Sequence, residues 1–216
     1  QDLFRSLEQW GVGADTTVEL HDTGGDYPAT ATTTLASVPG TEAGVTLTIT
    51  NAAGQTPRIV ATAARDHALH IQSDGVTLDG LHLDAGGADN ALRVSGDGVT
   101  VRGSVLEGAA ESTLYLDGAA NAQLINNRIF STATDAGAVE AEGAAGSELL
   151  HNTLIRAGSG GFAFAHLAFF GRDRMNTVRN NIIWTWGTGA HAYENGGYRD
   201  PRDADGNIWF TAGGAS

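Results

Sequence analysis

The sequence predicts an all-β fold in which one chain winds into a single-stranded parallel β-helix, a solenoid of about seven coils. Similar segments recur along the chain, and the first apolar residue of each copy lies 22 to 28 residues from the next. These anchor residues are Leu69, Leu92, Leu114, Val139, Phe162 and Ala190. A period of this length fits one coil of a β-solenoid and is too short for a propeller blade.

Each copy contains three short runs of alternating apolar and polar residues, separated by Gly or Asn. One copy reads Leu92-Arg93-Val94, then Val99-Thr100-Val101, then Val105-Leu106. Alternation with a period of two indicates half-buried strands. Strands this short are not stable alone, so we expect each to pair with its equivalent in the next coil.

Asparagine recurs just before the third strand of four copies, at Asn127, Asn152, Asn181 and Asn207. An Asn at a tight bend can hydrogen-bond to the equivalent residues above and below it. We therefore predict a buried asparagine ladder. It is partial, because Leu81 and Ser104 occupy this place in two earlier copies.

We interpret residues 1–216 as one domain, with a cap over residues 1–12 and coils over residues 15–210. The segment DLFRSLEQW predicts a short amphipathic N-terminal capping helix with an Asp2 cap and a Gly11 stop. Its apolar face consists of Leu3, Phe4, Leu7 and Trp10. Such a helix would cover a strand edge that otherwise invites aggregation.

The two ends of the solenoid are predicted to differ. Residues 18–20, 45–49 and 59–60 form the first coil in this interpretation, and residues 21–44 form a polar surface loop. Nothing after Phe210 resembles a cap. We therefore expect the C-terminal end to be uncapped or truncated, or to dock a further domain or subunit.

Composition excludes several classes of function. The formal net charge is −13 and no basic stripe is present, which excludes nucleic acid as a partner. All twelve basic residues are Arg, so no mechanism can use a catalytic Lys. The chain has no Cys, hence no disulfide or thiolate metal site. No apolar run is long enough to form a transmembrane segment.

The segments GVTLDGLHLDAG, GVTVRGSVLEG and LINNRIFS resemble the repeats of right-handed parallel β-helices in the pectate-lyase-like superfamily. The resemblance covers roughly residues 15 to 210. It implies a right-handed helix and a polysaccharide as the partner. The superfamily includes lyases, hydrolases, epimerases and non-catalytic adhesins, so the resemblance specifies the fold more closely than the function.

The repeat register predicts which side chains of the first strand face outward. One outward row contains His70, Arg93, Tyr115, Glu140, Ala163 and His191. The next row contains Gln72, Ser95, Asp117, Glu142, Ala165 and Tyr193. Neighbours within a row lie about 5 Å apart. We therefore expect a continuous polar column on this face.

In similar lyases this face carries the catalytic and Ca²⁺-binding residues, and elimination beside a uronate needs a base, a cation and an acid. Arg93 is the candidate for neutralising the carboxylate or abstracting the proton. His70 or Tyr115 would transfer protons, and Glu140 belongs to the same catalytic group. The candidate Ca²⁺ ligands are Asp117, Glu140 and Glu142.

Two long insertions follow the same strand, at residues 165–176 and 194–206. With the row residues they supply the candidate substrate-binding set: His191, Tyr193, Phe170, Arg172, Arg174 and Tyr198. Aromatic rings stack on sugars and Arg binds carboxylates in a bidentate manner. Phe170 is alternatively part of a local lid over the core.

Two classes of function remain open from the sequence. The first is a secreted or cell-surface bacterial protein that binds or cleaves a polysaccharide, in its most concrete form a Ca²⁺-assisted uronate lyase. A glycosidase that uses two carboxylates, Glu140 with Glu142 or Asp117 with Glu140, ranks below it. The second class is a non-catalytic adhesin or fibre module, in which the polar column is a solvated face with charges paired between coils.

Overall fold

The structure is a computed structural model that describes residues 2–22, 25–29, 32–41, 44–62, 67–134, 136–167, 175–187, 191–195 and 203–212. For residue 2 and for residues 164–167 and 191–195 it describes the backbone alone. Over these ranges the chain forms one α-helix, α1 (Asp2–Trp10), and twenty-three strands, numbered β1 to β23 along the chain. No helix in these ranges is long and apolar enough to cross a membrane.

Each strand pairs in parallel with the strand three places further along the chain, which produces three sheets. Sheet A consists of β1 Thr16–Leu20, β4 Leu47–Asn51, β7 Val76–Asp79, β10 Thr100–Arg102, β13 Gln123–Ile125, β16 Glu148–Leu150, β19 Thr177–Arg179 and β22 Asp203–Asp205. Sheet B consists of β2 Tyr27–Ala29, β5 Arg58–Ala61, β8 His82–Asp84, β11 Val105–Glu107, β14 Arg128–Ser131, β17 Thr153–Ala157, β20 Ile182–Trp186 and β23 Ile208–Ala212.

Sheet C consists of β3 Thr34–Leu35, β6 His67–Ile71, β9 Asn90–Val94, β12 Leu114–Asp117, β15 Val139–Glu142, β18 Phe162–Leu167 and β21 His191–Asn195. One coil therefore passes through sheets A, B and C in turn. The predicted all-β parallel solenoid with a short N-terminal helix is confirmed.

The core lies inside the stack, where the inward residues of the three sheets meet. Val101, Leu106 and Leu114 come from sheets A, B and C, and each is fully buried. Along β9 the burial alternates, so Leu92 and Val94 are buried while Arg93 is only partly buried. The period of two in the sequence thus corresponds to one apolar interior and a polar outside.

Helix α1 lies against the first strand of sheet C, where the carboxylate of Glu8 accepts a 2.7 Å hydrogen bond from the backbone N–H of Ala36. The helix ends as predicted: Gly11 has φ +68° and its N–H donates to the carbonyl of Leu7 at 2.7 Å. The predicted apolar face is partly wrong. Leu7 is buried, whereas Leu3 and Trp10 are exposed by 43% and 78%.

The predicted boundary of the first coil is wrong. Strands β2 and β3 lie inside the segment 21–44 that was predicted as a surface loop. They pair with β5 and β6 and complete a coil that begins at β1. At three and two residues, these strands are too short to show alternation, and only pairing to the next coil defines them.

The asparagine ladder is confirmed and extends further than predicted. Asn127 donates both its backbone N–H (2.8 Å) and its side-chain amide (3.0 Å) to the Oδ1 atom of Asn152. The same pattern links Asn152 to Asn181 and Asn181 to Asn207. Ser104 continues it, because its N–H donates to Asn127 at 3.0 Å. The ladder satisfies polar groups that the bend would otherwise bury without partners.

Candidate functional site

The predicted polar column lies on the outer face of sheet C. In the strand register, His70 is opposite Arg93, Arg93 is opposite Tyr115, and Tyr115 is opposite Glu140. Asp117 and Glu142 are also opposite each other, in the adjacent row. The two rows form one continuous polar surface over four coils, as the repeat register predicted.

The register of the last two coils differs from the prediction. Ala165, not Ala163, is opposite Glu140, and Glu194 is opposite Ala165. His191 and Tyr193 therefore do not continue the rows of Glu140 and Glu142. They pair instead with Phe162 and Phe164, the latter opposite the inward residue Val139. The repeat pattern predicted Phe162 as the residue equivalent to Val139. In the structure β18 begins at Phe162, but Phe164 is the residue that pairs with Val139, so the predicted register is shifted by two residues.

Arg93 lies at the centre of this surface. Its Nη2 atom is 2.5 Å from the Oδ2 atom of Asp117, and its guanidinium carbon is 5.5 Å from the centre of the Tyr115 ring. Its Nη1 atom is 3.4 Å from Nε2 of His67. The Nε atom of Arg93 is buried and has no hydrogen-bond partner among the described residues. Salt-bridge and cation–π contacts thus hold the guanidinium over the middle of the column.

Tyr115 and the two glutamates of the next coil are hydrogen-bonded. The Tyr115 hydroxyl donates to Oε2 of Glu142 at 2.6 Å. Desolvation, together with this hydrogen bond to a carboxylate, raises the pKa of Tyr115 well above its usual value. Tyr115 is therefore a neutral phenol throughout the physiological pH range. The other glutamate, Glu140, accepts a 2.7 Å hydrogen bond at Oε2 from the hydroxyl of the buried Ser112.

The pKa of His70 is also strongly shifted. Its Nε2 atom is 2.9 Å from the hydroxyl oxygen of Ser95. Desolvation by burial lowers the pKa of His70 to about 4, and the positive charge of Arg93 contributes next. His67 lies edge-on to it, with ring centres 5.7 Å apart. At neutral pH the imidazole of His70 is uncharged and can accept a proton.

Comparisons with known proteins concern the fold. No protein-family model matches the sequence, and no curated protein matches it. Pectin methylesterase from Aspergillus niger, in its deglycosylated form, matches with a TM-score of 0.65 and 11% sequence identity, over 98% of this chain and 79% of that chain. A form of that enzyme with an N-acetylglucosamine stub matches with a TM-score of 0.64 at 11% identity.

The chain is a right-handed parallel β-helix. The repeats resemble those of the pectate-lyase-like superfamily, which has this fold. The fold that the sequence predicted is therefore confirmed. At 11% identity the likeness concerns the path of the chain and transfers no residue roles. The chemistry of this β-helix therefore has to be argued from its own side chains.

The three predicted Ca²⁺ ligands do not form a cage. Asp117 faces Arg93, Glu142 accepts from Tyr115, and Glu140 accepts from Ser112. Within the residues that the structure describes, no three His, Asp or Glu side chains are grouped to hold a metal ion. The arrangement does not fit a pre-formed Ca²⁺ site, and Ca²⁺ binding stays a prediction.

The predicted substrate-binding insertions are only partly described. Residues 165–167, 194–195 and 203–205 belong to strands β18, β21 and β22, so the predicted bounds of both insertions are wrong. The candidate residues Phe170, Arg172, Arg174 and Tyr198 lie outside the described residues. The described part of the β-helix instead adds residues that sequence reasoning left without a role, namely His67, Ser95 and Ser112. Ser95 stood in a predicted outward row. Nothing in a single sequence indicates that the buried Ser112 reaches Glu140.

A cavity of about 340 Å³ opens beside one end of the column. Its lining consists of Ala110, Glu111, Thr134, Ala136 and Glu140. A cavity of this size lies in the range of small-ligand sites. It makes the Glu140 end of the column concave, which the alternation pattern did not reveal.

The depressed pKa of His70 predicts a specific pH dependence of stability. The folded state binds this proton less well than the unfolded chain, in which the histidine has its usual pKa of 6.5. The contribution of His70 is therefore complete above pH 6.5 and decreases as the pH falls toward 4. Burial and the charges of Arg93 and His67 lower this pKa, while Asp117 opposes them.

Wild type is accordingly expected to lose more unfolding free energy than His70→Gln between pH 7 and pH 4. Urea unfolding of both proteins across this range measures the difference, and the other titrating groups cancel in the comparison. Parallel stability curves for the two proteins would contradict the assignment of a buried, neutral His70.

Proposed function

We propose that this β-helix binds an acidic polysaccharide of the pectin class along the outer face of sheet C, with Arg93 as the residue that receives a uronate carboxylate. The observation that carries the proposal is the continuous column His70–Arg93–Tyr115–Glu140 with a cation at its centre. The similar solved structures are of a pectin methylesterase, which supports a polymer of this class. A secreted location belongs to the proposal, because such polymers lie outside cells.

Because the chain is strongly acidic, binding of an anionic polymer depends on the positive charge of Arg93. The chain carries a formal charge of −13, so an anionic polymer is repelled by most of its surface. Arg93 is the one Arg or Lys in the described strands of sheet C. Its side chain is 33% exposed. A guanidinium has five N–H donors, so pairing with Asp117 leaves donors for a sugar carboxylate.

The finer proposal for the reaction is β-elimination. His70 and Tyr115 flank Arg93 and are both uncharged at neutral pH, the one able to accept a proton and the other able to donate one. Arg93 would neutralise the carboxylate, His70 would take the C5 proton, and Tyr115 would protonate the departing glycosidic oxygen. These roles use only groups of the chain itself and require no metal.

Replacement of Arg93 by Ala is expected to weaken binding of an oligogalacturonate by roughly ten- to hundredfold, because a charge-assisted hydrogen bond contributes about 1.5–3 kcal/mol. Isothermal titration calorimetry at low salt measures the dissociation constant. Arg102→Ala is the matched control, since Arg102 is an exposed sheet A arginine that also pairs with an aspartate, Asp79, at 2.7 Å. Equal affinities of the two variants would contradict the proposed site.

The elimination is tested by the absorbance of unsaturated products from polygalacturonate, measured with and without Ca²⁺. We expect product with wild type and a rate at least ~10²-fold lower for Tyr115→Phe, with unchanged thermal unfolding. Wild-type protein that binds the polymer but forms no product under either condition would rule out the lyase reaction and leave the binding proposal standing.

A non-catalytic scaffold is the second candidate, and one observation favours it. The polar side chains of the column bind one another: Arg93 forms a salt bridge with Asp117, and Tyr115 donates a hydrogen bond to Glu142. Cross-strand pairs of this kind stabilise a sheet without any ligand. In that case Arg93→Ala would lower the unfolding free energy, and no polysaccharide would bind wild type.

A further inference from the structure

His70 forms a polar pair with Ser95, a residue that the proposed elimination does not use. Ser95 follows β9 directly, and its backbone N–H donates to the carbonyl of Ile71 at 2.8 Å, which fixes its position beside the neighbouring coil. Its hydroxyl oxygen is 2.9 Å from Nε2 of His70. Both side chains are partly exposed on the outer face of sheet C. A hydroxyl within hydrogen-bond reach of an imidazole is the arrangement of an activated nucleophile and its base.

We propose that Ser95 and His70 form a nucleophile–base dyad that hydrolyses an O-acyl ester on the uronate whose carboxylate Arg93 binds. This inference rests on the proposed function, because it takes the bound polymer as its substrate. It adds a second reaction, acyl-ester hydrolysis, to the same surface. Of the two residues of the dyad, only His70 also has a role in the elimination.

The separation of Arg93 and Ser95 selects the kind of ester. The two residues are two positions apart, so their side chains leave the same face of the sheet about 6.6 Å apart. A hexuronate ring spans a similar distance from its carboxylate to its ring hydroxyls. With the carboxylate held at Arg93, an acyl group on one of those hydroxyls reaches Ser95. A methyl ester of the carboxylate itself would lie at Arg93 and would lack the charge that Arg93 binds.

The reaction balances with the groups present. The Oγ atom of Ser95 attacks the ester carbonyl carbon while its proton passes to Nε2 of His70. When the tetrahedral intermediate collapses, the sugar oxygen leaves with that proton and the acyl group stays on Ser95. Water then attacks the acyl-serine, again giving a proton to His70. A carboxylic acid is released, and Ser95 recovers its hydroxyl proton from His70.

Two neighbours, Arg93 and His67, support these roles. Burial and the charge of Arg93 keep His70 neutral and therefore able to accept the proton. The edge-on contact of His67 with the His70 ring restricts the ring's orientation, which makes His67 a positioning residue. Arg93 places a positive charge beside the dyad, where the carbonyl oxygen becomes negative during attack.

A fluorophosphonate probe tests the dyad without any polysaccharide. We expect intact-mass analysis to show one covalent adduct and peptide mapping to place it on Ser95. Ser95→Ala and His70→Gln should lose the adduct while they keep the thermal unfolding of wild type. Ser6→Ala, an exposed serine of α1, is the matched control and should label like wild type. Labelling of Ser95→Ala equal to wild type, or no labelling of wild type, would overturn the dyad.

Acetate release from O-acetylated polygalacturonate tests the substrate. Wild type should release acetate, and Ser95→Ala should do so at least ~10²-fold more slowly. Ser95-dependent release of methanol from methyl-esterified polygalacturonate, without release of acetate from the acetylated polymer, would overturn the assignment of an acyl ester. Binding of unacetylated polymer without probe labelling would refute the dyad alone. Labelling without any polymer binding would refute the proposed function alone.

Discussion

Replacement of Arg156 by Met is expected to lower the unfolding free energy by roughly 3–5 kcal/mol, because several backbone carbonyls lose a charged donor at once and each unsatisfied group costs about 1–3 kcal/mol. Arg156 is fully buried, in an inward position of β17. Its guanidinium donates to backbone carbonyls at 2.8 to 3.2 Å, those of Thr134, Ala136, Ala157, Ser159 and Gly160.

The partners explain why the loss is large. Carbonyls of the main chain cannot be replaced together with the arginine, so methionine leaves them without donors. They lie between sheet B and sheet C in two neighbouring coils, at residues 134 and 136 in one coil and at residues 157–160 in the next. Two of the carbonyl-bearing residues, Thr134 and Ala136, also line the cavity beside Glu140. Arg156 thus connects the stability of these segments to the shape of the site.

Urea unfolding measures the effect of Arg156→Met, with Arg102→Met as the control for loss of an exposed, charged arginine. The control should change the unfolding free energy by less than ~1 kcal/mol. Arg156→Lys should fall between wild type and Arg156→Met, since an ammonium offers three donors in place of five. Equal unfolding midpoints for wild type and Arg156→Met would contradict the role of these hydrogen bonds.

Replacement of Asn152 by Leu is expected to cost roughly 3 kcal/mol or more, because several buried polar groups lose their partners at once. The Oδ1 atom of Asn152 accepts from the backbone and side chain of Asn127. Its amide nitrogen donates to the carbonyl of Leu124 at 2.8 Å and to Oδ1 of Asn181 at 3.1 Å. Leucine has a similar volume but satisfies none of these groups.

A neighbouring asparagine provides the control for Asn152→Leu. Asn126 is exposed and has φ +55°, a conformation that glycine adopts without strain. Asn126→Gly should therefore change the unfolding free energy by less than ~1 kcal/mol. If Asn152→Leu unfolds at the same urea concentration as Asn126→Gly, the ladder does not stabilise the fold.

Repetition made the central coils predictable. Alternation in each run marked the inward residues, and because stacked strands pair in register, the spacing of the runs placed Arg93 opposite Tyr115. The same argument failed at β18, where the strand begins two residues before the position that pairs with Val139. It also failed at β2 and β3, which at three and two residues are too short to show alternation.

Arg156 shows a different kind of failure. Its place in the alternation of β17, two residues after the buried Leu154, indicates an inward side chain. A charged residue in such a position is the available signal, but its partners are carbonyls about 20 residues earlier in the chain and in the following turn. Periodicity says nothing about where those carbonyls point, so the buried arginine could not be explained from the pattern.

The sequence by itself determined the solenoid, the asparagine ladder and the column on sheet C, because all three depend on a repeat whose equivalent residues stack. The tertiary structure decided what the column's side chains contact. The bonds of Ser95 to His70, Tyr115 to Glu142 and Ser112 to Glu140 join residues 25 to 28 positions apart. Rotamers and burial select these partners from several neighbours on the same face, and protonation states follow from them.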